Sequence, residues 1–167
     1  LKKMLSEDEI SDVERDSLKL IEPRLWGPCV DDRWLYEKTE DNKKYLRRID
    51  GIHSPDMPES FQVLLGNPKL LWAVHQLMEG DYFAASVQAL VYKGAKYGKS
   101  LHWHQDPVKI RRFPAFNMDI YLDKVTVENG CVYGNPESHL AGYNGKDPGF
   151  IEHWTGSKGV EAEAAVP

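Results

Sequence analysis

Leu101-His102-Trp103-His104-Gln105-Asp106 places its chemistry at every second position. In an extended strand successive side chains point to opposite faces, so His102, His104 and Asp106 share one face and Leu101, Trp103 and Gln105 the other. An imidazole and a carboxylate two residues apart on one face reach a single metal ion. His-x-Asp is the usual opening of the two-histidine, one-carboxylate triad that holds non-haem Fe(II) on one side of an octahedron and leaves positions open. The pattern is short. On these six residues alone a polar strand with hydrogen-bonded histidines stands ahead of a metal site. A zinc or other metal site on His102-x-His104 is a further reading, since paired imidazoles suit zinc.

Working outward, a loop from Pro107 to Pro114 carries Lys109, Arg111 and Arg112, which read as a solvated surface cluster ahead of a contact with an anionic substrate or co-substrate. Phe116 to Leu122 then alternates: Phe116, Met118, Ile120 and Leu122 form an apolar row, and Asn117, Asp119 and Tyr121 a polar one. The polar row suits a cavity wall that orients a hydrophilic substrate, or equally a half-solvated strand. Asn129-Gly130 favours a tight hairpin, because both residues tolerate positive φ. Cys131 follows as an expected buried small hydrophobe. Asn135-Pro136-Glu137-Ser138-His139 closes the series.

A His-Gln-Asp strand, an apolar strand, an Asn-Gly-Cys turn and a Pro-x-Ser-His close, in that order, resemble the phytanoyl-CoA dioxygenase family. The resemblance covers most of the chain and is most specific from Trp103 to His139; Glu137 departs from the glycine usual before the Ser-His. It implies a mostly β fold with N-terminal helices: a double-stranded β-helix (jelly roll, cupin-like). It also implies Fe(II) held by His104 and Asp106, 2-oxoglutarate as co-substrate beside Gln105, and O2. Oxidative decarboxylation to succinate is then coupled to hydroxylation of a small-molecule substrate, which no residue here selects.

The family's second metal-binding histidine and its 2-oxoglutarate-pairing arginine belong to a strand well beyond the Ser-His motif. After Asp106 the histidines are His139 and His153, and the last arginine is Arg112. His139 matches the family's Ser-His, which is not the distal ligand, and His153 sits in a stretch read as a loop. The expectation is therefore a fragment whose β-helix is incomplete at the C-terminus, inactive or nearly so by itself, with sheet edges open to association with a second copy. Beside it stands a non-catalytic jelly-roll binding module that kept the pocket and lost the iron site.

Length and composition agree with one domain, residues 1–167, with 1–80 a mainly helical layer and 81–167 the first part of the β-helix. A net charge of −5, from 21 basic and 26 acidic residues, supplies no cationic footprint for nucleic acid or an anionic membrane. No apolar run approaches a transmembrane span, and no signal-peptide pattern is present. Cys29 and Cys131 make no disulfide framework, which favours a cytoplasmic setting. The start at Leu1 is expected not to be the native one.

The first half reads as helices around a blurred middle. Ser6 with Glu9 makes a capping box, Leu5 and Ile10 fit a hydrophobic staple across it, and Ile10, Val13, Leu20 and Ile21 recur at helical spacing until Pro23. Trp26-Gly27-Pro28 signals a turn. Asp31-Asp32-Arg33 and Glu37 to Lys44 read as solvated surface, and Tyr45 to His53 as a strand. His53 reads as structural or exposed rather than as a ligand, and His75 as structural. Asn67-Pro68 is an N-cap with proline at the first helical position, ahead of Leu71, Val74, Leu77, Met78 and a stop at Gly80. Ser86 to Lys93 is a strand of high β preference.

Overall fold

Ser6 decides where the first helix begins. In the computed structural model of the chain, the Ser6 hydroxyl accepts from the Glu9 N–H at 3.2 Å. The Glu9 carboxylate accepts from the Ser6 N–H at 2.7 Å and from its hydroxyl at 2.8 Å. This is the expected box, and it satisfies donors that the first turn of a helix leaves without partners. Helix α1 spans Glu7–Ile21, with Glu7, Asp8 and Glu9 in its first turn and Lys19 in its last, complementing the helix dipole. Val13, Ser17 and Ile21 recur every fourth residue and are buried. The Ser17 hydroxyl donates to the Val13 carbonyl at 2.6 Å, so the stripe carries a polar side chain without an unpaired donor. A single 3-10 turn, Glu22–Arg24, follows, with Pro23 early in it, where a missing N–H costs least.

The structure describes residues 4–27, 31–78, 88–94 and 117–133. The chain divides into two compact units, Leu1–Gly98 and Lys99–Pro167.

In the first unit, the charge-rich stretch expected as solvated surface is instead part of a β-hairpin. Strand β1, Trp34–Lys38, pairs antiparallel with β2, Lys44–Asp50. Between them the Thr39 N–H donates to the Lys43 carbonyl and the Asn42 N–H to the Thr39 carbonyl, each at 2.9 Å. Asn42 sits at φ 62°, a left-handed value that asparagine tolerates better than most residues. Charge along Glu37 to Lys44 reported exposure correctly for Glu40, Asp41 and Asn42 but said nothing about backbone pairing on either side. Asp31, Arg33 and Asp56 tie the start of β1 to the loop after β2. The Arg33 guanidinium meets both Asp56 oxygens, at 3.1 and 2.8 Å, and Asp31 at 3.1 Å. Those two carboxylates, Asp56 first, hold the guanidinium above its ordinary range, and it holds both of them below theirs.

β2 is the middle strand of a three-stranded sheet, β1-β2-β3, with β3 at Ala89–Val91, inside the stretch expected from Ser86 to Lys93. Opposite β1 the register shifts: Leu35 faces Arg48 but Tyr36 faces Leu46, leaving Arg47 as the extra residue of a bulge. The other edge of β2 is shared. Trp26 bridges Tyr45, with the Leu46 N–H donating to the Leu25 carbonyl at 2.9 Å. Farther along, Arg48, Ile49 and Asp50 face Val91, Leu90 and Ala89. Tyr45 and Leu46 are consecutive and both buried, so this end of β2 is covered on both faces.

Two helices complete the layer. In α2, Glu59–Leu65, Phe61 and Leu64 are buried one turn apart. In α3, Pro68–Met78, Leu70 and Ala73 are buried. The Asn67 side-chain oxygen caps α3 as expected, accepting from the Lys69 N–H at 2.9 Å and the Leu70 N–H at 3.3 Å. Gly80, the expected stop, lies outside the described residues. The helices are tied by side chains from α1: the Asn67 amide donates to Glu9 Oε1 at 2.6 Å and the Ser60 hydroxyl to Asp16 Oδ2 at 2.8 Å. The Ser6 N–H chiefly holds the Glu9 carboxyl below its ordinary value, and the Ser60 hydroxyl does the same for Asp16.

In the second unit the described residues are 117–133. Ile120 and Leu122 are half-buried and Asn117, Asp119 and Tyr121 exposed, but Met118 of the apolar row is exposed as well, so the expected alternation shows only from Asp119 to Leu122. No described residue of this unit belongs to a strand, because alternation assigns faces whereas a strand also needs a hydrogen-bonded neighbour. The expected Asn129-Gly130 hairpin is instead a single capped turn. The Cys131 N–H donates to the Thr126 carbonyl at 3.0 Å and the Gly130 N–H to the Val127 carbonyl at 3.4 Å, with Gly130 at φ 88°. That pair of bonds around one left-handed glycine is the Schellman arrangement, which asks positive φ of one residue where the expected hairpin turn asks it of two. Asn129 caps with its side chain, accepting from the Thr126 N–H at 2.7 Å and donating to the Lys124 carbonyl at 2.7 Å.

Candidate functional site

His102, His104, Gln105 and Asp106 lie outside the described residues, as do Lys109, Arg111, Arg112, His139 and His153. Among the described residues no group of three or more histidine, cysteine, aspartate or glutamate side chains is placed to hold a metal ion. His53 is exposed and His75 half-buried. Cys131 is free and half-exposed, not buried as expected, because the turn that precedes it sits at the surface with Val127 and Val132.

Described residues form concavities, two of which are these. A groove of about 250 Å³ between α1 and α2 is floored by Val13, Val63 and Leu64 and rimmed by Glu9, Asp12, Asp16 and Glu59. Arg15 lies in the same groove, 2.6 Å from Asp12 and 3.3 Å from Asp16, so part of that rim is neutralised within α1. The second, about 350 Å³, lies in the second unit and is lined by Tyr121, Val125, Thr126, Val127, Cys131 and Val132. Neither gathers a set of metal donors.

The described residue nearest in sequence before the His-x-Asp stretch is Gly94, and its surroundings are unusual. The Gly94 N–H donates to the hydroxyl of Tyr45, and that hydroxyl lies 3.5 Å from the Tyr92 carbonyl, to which it donates a long hydrogen bond. The Tyr45 ring is 2% exposed, with the rings of Trp26 and Tyr92 centred 6.0 and 6.1 Å away. Burial raises the Tyr45 hydroxyl pKa, opposed by the Gly94 N–H, so the phenol is neutral and able to donate and accept at once. Sequence reasoning placed Tyr45 at the start of a strand and went no further. No local signal marks it, since its partner is 49 positions away. Among the described residues no helix is long and apolar enough to cross a membrane.

No curated protein matches the chain, and no solved structure does. A protein family does match, over residues 1–164, the one described as Phytanoyl-CoA dioxygenase (PhyH). That range takes in the helices and hairpin of the first unit as well as the stretch from Leu101 to His139 that carries the resemblance. The match and the motif order coincide, and the chain belongs to the phytanoyl-CoA dioxygenase family of Fe(II)- and 2-oxoglutarate-dependent oxygenases.

Proposed function

We propose that this chain carries the iron-binding strand of an Fe(II)- and 2-oxoglutarate-dependent dioxygenase that hydroxylates a small-molecule substrate. His104 and Asp106 are the ligands it contributes, and Gln105 lies beside the co-substrate. The carrying observation is the family match over residues 1–164, within which His104-x-Asp106 has the family's motif and spacing. The donor set fits the metal: one imidazole and one carboxylate suit Fe(II), and a facial arrangement leaves positions for the keto acid and O2. The bound iron and keto acid supply the oxidising chemistry. What falls to the chain is to hold the two donors on one face of a strand, orient the substrate and exclude water.

The architecture belonging to this reading is a double-stranded β-helix in a single domain, with residues 1–80 as a mainly helical N-terminal layer. The helices α1 to α3 and the antiparallel sheet β1-β2-β3 support it. Association through unpaired strand edges belongs to the same proposal.

The test is Fe(II) titration of the chain, together with succinate formed from 2-oxoglutarate under air with ascorbate. Losing even a hydrogen-bond partner of a metal ligand typically costs ~10–100-fold in affinity, so His104→Ala and Asp106→Ala should each weaken Fe(II) by at least about 10-fold. Fe(II) bound equally by the chain and both variants would overturn the assignment. A loss in His102→Ala as large as in His104→Ala would point to the paired-imidazole site instead.

A further inference from the structure

We propose that Asn129 is a site of spontaneous deamidation, in which the Gly130 backbone nitrogen displaces ammonia from the side-chain amide, and that the bonds capping the Thr126–Cys131 turn set its rate.

The reaction needs an asparagine amide within reach of the next backbone nitrogen and little around that nitrogen to hinder attack. Asparagine before glycine meets both needs, because glycine has no side chain to crowd its N–H. Among the described residues Asn42 precedes Lys43, Asn67 precedes Pro68 and Asn117 precedes Met118, and Asn129 alone precedes glycine. Pro68 has no N–H to offer. Asn129 and Gly130 are both exposed, so water reaches them. A second pair, Asn144-Gly145, lies outside the described residues.

The two reacting groups are held unequally. The Asn129 amide is gripped at both ends: Oδ1 accepts from the Thr126 N–H and Nδ2 donates to the Lys124 carbonyl, each at 2.7 Å. The Asn129 N–H adds a bond to the Thr126 hydroxyl at 3.3 Å. The nucleophile is held loosely, since the Gly130 N–H donates to the Val127 carbonyl at 3.4 Å, beyond the usual range. Attack on Cγ requires the side chain to leave both of its partners. The cap is therefore the restraint, and local opening of the turn is what lifts it.

Once the turn opens, the Gly130 nitrogen bonds Asn129 Cγ and the Cγ–Nδ2 bond breaks. The Gly130 proton passes through water to the leaving nitrogen, which departs as ammonia. A second water molecule opens the five-membered imide at either carbonyl and leaves aspartate or isoaspartate at position 129. Both products lack the N–H that the Lys124 carbonyl accepts and put a carboxylate oxygen in its place. Isoaspartate also adds one carbon to the main chain within the turn. The change runs one way, because the cap that protected the amide does not re-form around either acid.

Peptide mapping by mass spectrometry tests this on the whole chain at neutral pH, folded in buffer and unfolded in urea. Position 129 should convert in both, to aspartate together with isoaspartate, and about 10-fold more slowly in the folded chain, a factor that one or two exposed hydrogen bonds supply. Thr126→Pro removes the N–H that Oδ1 accepts, and its folded chain should convert at close to the urea rate. Thr126→Ala removes only the hydroxyl and should speed conversion ~3-fold, and it decides the point if Thr126→Pro disturbs exchange in α1. The converted chain should exchange its Gly130 and Cys131 amides about 5-fold faster or more, with α1 unchanged. No conversion at position 129 in the folded chain overturns the proposal, and so does conversion to aspartate alone, which is direct hydrolysis. Equal rates in buffer and urea, or Thr126 variants no faster than the unaltered chain, overturn the role of the cap. Unchanged exchange in the converted chain overturns the loss of the turn.

Discussion

The three helices of the first unit hold one another, whereas the Thr126–Cys131 turn of the second holds itself. Glu9 meets Asn67 across 58 positions, Asp16 meets Ser60 across 44, and Arg33 meets Asp56 across 23. In the turn, Asn129 reaches Thr126 across 3 and Lys124 across 5. Bonds of the first kind form only when a long loop has closed, so they stand or fall with the whole unit. Bonds of the second kind close a loop of a few residues and depend on little else. The difference predicts where a substitution spreads and where it stays local.

The sharpest way to break the comparison is Phe61→Ala. Phe61 is 1% exposed, and emptying such a site costs about 3–5 kcal/mol. Denaturant unfolding should show that loss, with exchange rising across α1, α2 and α3 together. A rise confined to α2 would mean the helices are not one cooperative unit.

Asn67→Ala comes next. It removes the cap of α3 and the partner of Glu9 in one step, and the expected loss is about 1–2 kcal/mol, the upper part of the range for a cap. If Glu9→Gln in the Asn67→Ala background costs as much as Glu9→Gln alone, the two side chains are uncoupled and the tie carries nothing.

Acid sharpens the same point. Glu9 and Asp16 have folded-state values below 4.5 and 3.8, so the unfolded chain binds protons more readily than the folded one. Their contribution is fully present above those values and is lost as the pH falls through the lower folded-state values. Thermal midpoints measured from about pH 6 down to about pH 3 should fall, and Asp16→Asn should begin lower and fall less steeply. Parallel curves for the two proteins would remove Asp16 from the acid response.

The smallest effects belong to the second unit. Gly130→Ala places a β-carbon at φ 88° and should cost about 1 kcal/mol, read as faster exchange at Cys131 with α1 unchanged. Val132→Ala, at a residue 60% exposed, should stay within about 0.5 kcal/mol.

Local bonds were also the ones visible in the sequence. Ser6-x-x-Glu9 and Asn67-Pro68 announce their caps because donor and acceptor lie within three residues, and Pro23 announces a stop because the missing N–H is its own. The hairpin β1-β2 was half hidden: its second strand was apolar enough to see, but its first and its turn were masked by charge. The tie from Glu9 to Asn67, the bulge at Arg47 and the hydroxyl of Tyr45 were not visible at all, since each depends on a partner that no spacing predicts. For the candidate site, His104 and Asp106 rest on two-residue alternation and motif order in the sequence, and both lie outside the described residues. The contact of Tyr45 with Gly94 was not legible, because the two lie 49 positions apart.

The double duty of Glu9 also bears on how the chain is made. A ribosome delivers Glu9 long before Asn67, and 58 positions at ~5–20 residues per second take about 3–12 s. Through that interval residues 6–21 have neither α2 nor α3 to pack on, and the second carboxylate oxygen of Glu9 lacks Asn67. A lone helix of 15 residues is marginal in water, and the stripe of Val13, Ser17 and Ile21 stands bare to chaperones and to neighbouring nascent chains. A silent codon change that slows translation between Glu9 and Asn67 lengthens that exposure while leaving the finished protein identical.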